Sequence, residues 1–165
     1  MTVKTLPHTP KPKTQTPSPD APKLLEALDG AMRRLMWVER TWLKQVLAEY
    51  ELDIAPYMLL LQLLKHEGMC PMGELSHALD LPNATTTGHV DRLEQKKFAR
   101  REFGNQSDRR QVRVHVTAQG RALAQRVKER RLQHFKQALQ RLAARDQEHF
   151  VKLLSVFLDE LELAK

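Results

Sequence analysis

The stretch PMGELSHALDLPNATTTGHVDRLEQKK, residues 71–97, decides the fold of this chain of 165 residues. In its first part Met72, Leu75 and Leu79 recur at intervals of three and four, which predicts one apolar face of a short helix. Proline is suited to the first turn of a helix, so Pro71 fits at its start. The stretch therefore opens with a short amphipathic helix.

A second helix is expected directly after the first. Pro82 disfavours a helical conformation for the residue before it, and Asn83 is a good N-cap, so we expect the new helix to start there. Val90 and Leu93 should face inward with Thr86 nearby. Small, hydroxyl-bearing and imidazole side chains would then face outward, as a helix that approaches base edges requires. The alternative for this segment alone is an ordinary surface helix with a Thr-rich first turn.

The following segment, FARREFGNQSDRRQVRVHVT, residues 98–117, favours the first of these alternatives. Valines alternate with charged or imidazole side chains over residues 112–116, a period of two that is typical of a half-buried strand. Turn-forming residues occupy 104–108, so Ala99 to Phe103 should pair back on that strand. A β-hairpin with a basic tip after two short helices predicts a winged helix-turn-helix.

In this order and at these spacings, the motifs resemble those of the MarR family of transcriptional regulators. The resemblance rests on Gly73-Glu74-Leu75, Val90-Asp91-Arg92-Leu93-Glu94, Asp108-Arg109-Arg110 and Val116-Thr117-Ala118-Gln119-Gly120, and it extends by motif over about residues 52–121. It implies a mainly α fold with a small β-hairpin wing and with long N- and C-terminal dimerisation helices.

The resemblance also implies which residues contact DNA. In that family the helix that matches residues 83–97 enters the major groove, and an Asp-x-Arg in the wing directs its Arg to the minor groove. Arg110 is therefore the expected minor-groove contact, Asp108 orients it, and Arg109 meets phosphate. The other expected DNA contacts are Asn83, Ala84, Thr85, Thr87, Gly88, His89, Arg92 and Lys97.

Lys97 is a departure from the family pattern, which usually has Gly at this position. A helix end often needs a left-handed backbone there, and Gly adopts it without strain. We expect Lys97 to cost some stability while it gains the ability to contact phosphate.

The charge of the chain fits a polyanionic partner. The net charge is +7, and residues 91–131 carry thirteen Lys and Arg against five Asp and Glu, a local balance of +8. The positive charge is therefore concentrated around the predicted winged helix.

Composition argues against several other classes of protein. A single Cys allows neither an internal disulfide nor a multi-cysteine metal site, and the seven His are scattered, so we expect no metal and no cofactor. The sequence lacks an apolar run long enough for a membrane span and lacks the apolar core of a signal peptide, which predicts a cytoplasmic protein without membrane contact. Since no nucleophile with a base, Gly-rich phosphate loop or carboxylate pair is apparent, we do not expect an enzyme.

The chain divides into a tail and one domain. Residues 1–22 hold six of the nine prolines and are expected to form a disordered N-terminal tail. By the resemblance, residues 23–165 form a MarR-like domain, with a DNA-binding lobe at about 52–118 and dimerisation helices at about 23–50 and 118–163.

Three capping residues are expected to mark the starts of further helices. Asp53 should be the N-cap of an apolar, buried helix over residues 54–66, Thr117 of a long helix after the wing, and Asp146 of the last helix.

A homodimer is expected because the apolar stripes of the terminal helices exceed what a small lobe can cover. Two recognition helices related by a twofold axis would lie about 34 Å apart and read a pseudo-palindromic site in double-stranded DNA.

A regulatory ligand is implied by the resemblance alone, since relatives often bind small aromatic or phenolic effectors where the dimer helices meet the lobe. Trp37, Trp42 and Tyr57 are the candidate contacts, with core and dimer packing as the favoured alternative. Cys70 precedes a helix start, where the helix dipole could lower the pKa of its thiol and make it oxidisable, with an inert thiol as the favoured alternative.

The function that these features predict is a homodimeric, sequence-specific, double-stranded DNA-binding transcriptional regulator, a repressor relieved by a small-molecule effector. The alternative is a winged-helix module that binds protein or RNA without sequence-specific DNA binding.

Overall fold

A computed structural model describes residues 20–103 and 112–164, which fall into two compact units that divide between Leu43 and Lys44. In chain order the elements are α1 (Ala21–Ala48), α2 (Ile54–Lys65), β1 (Met69–Pro71), α3 (Met72–Ala78), α4 (Asn83–Gln95), β2 (Ala99–Phe103), β3 (Val112–Val116), α5 (Ala118–Leu139) and α6 (Ala144–Leu163). This confirms the predicted fold class, mainly α with a small β-hairpin wing. None of the described helices has the length and apolarity that crossing a membrane requires.

The apolar helix α2 lies at the centre of the second unit. Its residues Leu59, Leu60 and Leu63 are fully buried, and Tyr57 is nearly so. Side chains from α3, α4, β3 and α5 complete this core, namely Leu75, Val90, Leu93, Val114, Leu123 and Val127. Because burying one such side chain contributes roughly 1.5–3 kcal/mol, this core holds the helix-turn-helix and the base of the wing together.

The sheet has three antiparallel strands in the order β1-β3-β2. The predicted hairpin is confirmed, since Ala99 pairs with Val116 and Phe103 pairs with Val112. β1 was not predicted, because three residues are too few to show a period of two. It ends in Pro71, which suits an edge strand because proline has no N–H to donate.

Helices α1 to α4 all end in the same way, with a left-handed residue that is not glycine. These residues are Glu51 (φ 49°), Glu67 (φ 58°), Asp80 (φ 50°) and Lys97 (φ 60°). In each case the N–H of the next residue bonds to a carbonyl five residues earlier, at 2.8–3.2 Å. This is the Schellman arrangement, which satisfies carbonyl groups that the last helical turn leaves open. The left-handed backbone expected at Lys97 is therefore confirmed.

The predicted N-caps were partly wrong. Asp53 holds the N-cap position of α2, but its side chain makes no capping hydrogen bond. Pro82, not Asn83, is the N-cap of α4, because an N-cap needs an extended backbone and proline at ψ 142° supplies it. Likewise α6 begins after Ala143, which leaves Asp146 in the first turn, where its charge still suits the helix dipole.

Thr117 caps α5 as predicted and also ties the wing to the end of α4. Its hydroxyl accepts from the backbone N–H of Gly120 at 3.1 Å and donates to the carbonyl of Lys97 at 2.6 Å. A Cβ added at Gly120 would lie 2.1 Å from the carbonyl oxygen of Phe98, so this approach requires glycine. The end of α4, the start of β2 and the start of α5 therefore meet at one junction.

Candidate nucleic-acid interface

α4 has one buried and one exposed face. Thr86, Val90 and Leu93 are fully buried, which confirms the predicted inward face. The Thr86 hydroxyl donates to the carbonyl of Pro82 at 3.3 Å, so this polar side chain is satisfied inside the core. The predicted DNA contacts on α4 lie on the other face: Asn83, Ala84, Thr85, Thr87, Gly88 and Arg92 are exposed, and His89 is half-buried.

Two grooves flank this exposed face. The first, of about 640 Å³, separates α4 and the start of α3 from the wing, and it brings Asn83 and Thr87 together with Arg101 of β2. The second, of about 450 Å³, lies between α4 and the start of α2. The remaining predicted contacts on α4 line this second groove: Ala84, Thr85, Gly88, His89 and Arg92. The exposed face of α4 thus stands as a ridge between two concave surfaces.

Part of the positive charge near α4 is already paired with acidic side chains. Arg92 forms an ion pair with Asp53, and Lys96 forms one with Glu51. The hydrogen bond from Lys96 also lowers the pKa of the Glu51 carboxyl. Arg92, a predicted DNA contact, would therefore exchange or share a carboxylate partner when it meets phosphate.

Lys97 places a cation at the end of α4. Its side chain is exposed, and its backbone is held by the bond from the Lys97 N–H to the Glu94 carbonyl at 2.8 Å and by the Thr117 hydroxyl. The backbone is fixed while the ammonium group can reach outward, as the predicted phosphate contact requires.

Arg101 is an organising residue that sequence reasoning missed. Its guanidinium contacts Glu94 at 2.5 Å and Asp91 at 2.6 Å, and it donates to the carbonyl of Thr87 at 3.1 Å. Its backbone N–H also donates to Glu94 at 2.6 Å. Because the Arg101 side chain is only 14% exposed, these charge-assisted bonds are shielded from water and fix β2 against α4. The Asp91-x-x-Glu94 spacing, which places both carboxylates on one helix face, was the available signal.

Three of the residues predicted for DNA binding belong to the wing. Asp108, Arg109 and Arg110 lie outside the described residues, as do residues 1–19 of the predicted tail. The roles of these three residues therefore stay predictions.

The candidate effector residues differ in their surroundings. Trp37 and Trp42 lie on α1, where Trp37 is 67% exposed. Tyr57 lies on α2 and lines a cleft of about 400 Å³ beside α5, whose other walls include Arg121, Lys128 and Arg131. Burial raises the pKa of the Tyr57 hydroxyl above its ordinary value.

The expectation of a lowered thiol pKa at Cys70 was wrong. Cys70 is buried in β1, directly before Pro71, the N-cap of α3. Burial raises the pKa of its thiol, and the nearby carboxyl of Glu74 raises it further. Burial and Glu74 therefore outweigh the helix end, and a neutral, buried thiol is a poor nucleophile, which favours the alternative of an inert thiol.

Comparison with known proteins finds a family match for the central part of the chain. Residues 55–112 match the model of the MarR family. The HTH-type transcriptional regulator PecS of Dickeya dadantii is 28% identical over 127 residues, which span 76% of each protein.

Solved structures share the fold. A MarR family protein from Bacillus stearothermophilus superposes with a TM-score of 0.71 at 23% identity, over 86% of this chain and 97% of that one. A variant of S. aureus MepR bound to an oligodeoxyribonucleotide superposes with a TM-score of 0.62 at 19% identity, over 80% of this chain and 96% of that one. With its motifs, its fold and its family match in agreement, the chain resembles the MarR family of winged-helix, DNA-binding transcriptional regulators, whose model it matches over residues 55–112.

Proposed function

We propose that the protein acts as a homodimer that binds a pseudo-palindromic site in double-stranded DNA and represses transcription until a small molecule releases it. The observation that carries the proposal is the exposed ridge of small and polar residues on α4. Side chains such as Thr85 and Thr87 are short enough to let a helix approach base edges in the major groove. A cytoplasmic location, where the DNA is, forms part of the proposal.

The terminal helices support a dimer. α6 runs for twenty residues and none of them is buried, although one side of the helix is apolar. Its exposed apolar residues include Phe150, Leu153, Val156, Leu158 and Leu161, each about half exposed, and α1 likewise exposes Leu24, Leu25, Leu35, Met36 and Trp37. An isolated helix of this kind is marginal in water, so a second copy of the chain is the proposed cover.

A dimer would give the two α4 helices a twofold relation. Recognition helices in such dimers enter successive major grooves about 34 Å apart, which requires half-sites one helical turn apart. By the family resemblance Arg110 would enter the minor groove beside each half-site, with Asp108 orienting it and Arg109 on phosphate. The symmetry and the half-site spacing of the DNA target would therefore follow from the twofold symmetry of the protein dimer.

The cleft beside Tyr57 is the proposed place for an effector. Apolar side chains of α2 form one wall, and α5 contributes Arg121, Lys128 and Arg131. This combination favours a small aromatic acid or phenolate, with its ring against Leu61 and Leu64 and its charge toward the cations. Such a ligand would regulate only by binding the DNA-bound and free shapes with different affinities.

The test is a fluorescence-anisotropy titration of the full chain with the duplex upstream of its own gene. Arg110→Ala should weaken binding by about 1–3 kcal/mol and relax specificity in the minor groove. The control is Arg145→Ala, which removes the same charge from an exposed position at the start of α6.

If Arg110→Ala and Arg145→Ala reduce affinity equally, the wing assignment fails. If the protein binds the upstream duplex no better than unrelated duplex, the alternative module that binds protein or RNA becomes the better account.

A further inference from the structure

Three potential metal ligands from three consecutive elements meet at the edge of the sheet. His66 follows the last turn of α2, Cys70 is the middle residue of β1, and Glu74 lies in the first turn of α3. One ligand atom from each lies within 4.8 Å of the other two. The Cys70 sulfur is 3.8 Å from an oxygen of Glu74.

This spacing suits a small metal ion. Zinc lies about 2.3 Å from sulfur and about 2.0–2.2 Å from nitrogen or oxygen, so ligand atoms around one ion stand roughly 3–4 Å apart. The observed separations need only small side-chain rotations to reach that range. Cys70 is buried and fixed by pairing with Val114, while the side chains of His66 and Glu74 are exposed and can adjust.

The backbone between these ligands is well defined. Glu67 and Gly68 both have positive φ, and the N–H of Gly68 bonds to the carbonyl of Leu63 at 2.9 Å, so the chain turns sharply from α2 into β1. Gln62, one turn before His66, lies 3.3 Å from the imidazole Nε2. The contacting atom is the Gln62 amide nitrogen; with the amide turned over, its oxygen would accept from the Nε2–H of His66 and leave Nδ1 to the metal.

We propose that His66, Cys70 and Glu74 bind one Zn²⁺ ion, with water completing a tetrahedral shell. A donor set of one imidazole, one thiolate and one carboxylate fits zinc, whereas Mg²⁺ and Ca²⁺ prefer oxygen ligands alone. The ion would link the end of α2, β1 and the first helix of the helix-turn-helix. This departs from the expectation of no metal, which considered the His residues without the spacing His66-x-x-x-Cys70-x-x-x-Glu74.

The proposal is tested by measuring the binding of Zn²⁺ itself. The full chain without a polyhistidine tag is freed of metal with a chelator, and its affinity for Zn²⁺ is then measured by competition with a chromophoric chelator. We expect one ion per chain that is lost in Cys70→Ser and bound at least about tenfold more weakly in His66→Gln and Glu74→Gln. Zn²⁺ should also raise the Tm of the native chain.

A matched control is His77→Gln, which removes an exposed His of α3 outside the cluster. It should leave Zn²⁺ affinity unchanged. Substitution with Co²⁺ gives a second readout, since a thiolate-to-cobalt charge-transfer band should appear in the native chain and in His77→Gln but not in Cys70→Ser.

Equal Zn²⁺ binding by the native chain, His66→Gln and Glu74→Gln would overturn the proposal, as would Co²⁺ binding without the thiolate band. Because His66 and Glu74 are exposed, their variants should fold even if Cys70→Ser does not.

Discussion

The carboxylate of Glu94 on α4 accepts two hydrogen bonds from Arg101 on β2, one from the backbone N–H at 2.6 Å and one from the guanidinium at 2.5 Å. The same acidic group therefore holds both the main chain and the side chain of the wing strand. Since the Glu94 side chain is 31% exposed and that of Arg101 14%, the pair is partly shielded from solvent. This contact joins β2 to α4.

Glu94→Ala should destabilise the fold by about 1–3 kcal/mol, because it leaves the Arg101 backbone N–H and guanidinium without a main partner. It should also weaken DNA binding by loosening the wing. Chemical denaturation and anisotropy measure the two effects, with Gln95→Ala, one residue further along α4, as control. A variant as stable as the control would show that Asp91 and the carbonyl of Thr87 hold Arg101 without Glu94.

Lys97→Gly should change stability and DNA binding in opposite directions, with a more stable fold and weaker binding. At φ 60° a side chain costs about 1 kcal/mol, so glycine should stabilise the fold by up to that amount. It also removes a proposed phosphate contact, so the slope of log affinity against log salt should fall by about 1.

Lys97→Ala is the matched control, because it removes the same charge but keeps a Cβ at φ 60° and therefore relieves no strain. A Lys97→Gly variant with an unchanged salt slope would show that Lys97 does not touch phosphate.

Asp53→Asn should strengthen DNA binding, because it releases Arg92 from its ion pair. Both side chains are more than half exposed, so the change in stability should stay within about 1 kcal/mol. Affinity should rise roughly two- to fivefold, equivalent to about 0.5–1 kcal/mol. Asp53→Asn combined with Arg92→Ala should lose this gain. If the gain persists without Arg92, it arises from the general reduction in negative charge.

Leu161→Glu should dissociate the proposed dimer, since it places a charge on the apolar side of α6. Analytical ultracentrifugation should find a monomer, and affinity for a two-half-site duplex should fall with it. Lys152→Glu lies nine residues earlier, on the opposite side of the helix, and should remain dimeric. If both variants remain dimeric, the dimer interface does not include the apolar side of α6.

The sequence predicted the features that depend on residues close together in the chain. The inward face of α4, the pairing of Ala99 with Val116 and the Thr117 cap all follow from local patterns. β1 could not be predicted, because three residues carry no period and its pairing partner lies about forty-five residues away along the chain. The N-cap at Pro82 was missed because the cap depended on backbone conformation and not on a side-chain oxygen.

For the candidate nucleic-acid interface, the sequence predicted which residues of α4 are exposed but not which ion pairs they form. The outward residues of α4 follow from helical spacing, whereas the Arg101 clamp and the Asp53–Arg92 pair join residues that only the fold brings together. The same limit applies to His66, Cys70 and Glu74, since a strand and two helix ends had to be located before the three could be placed side by side.

The most direct test of the account is the ratio of affinities for a cognate and a scrambled duplex. The cognate site would be selected from genomic fragments, and both affinities measured with the native chain at physiological salt. Specific DNA-binding proteins typically favour their sites by 10³-fold or more, so we predict a ratio of at least about 10³. A ratio near one would contradict the claim that the exposed face of α4 recognises DNA sequence.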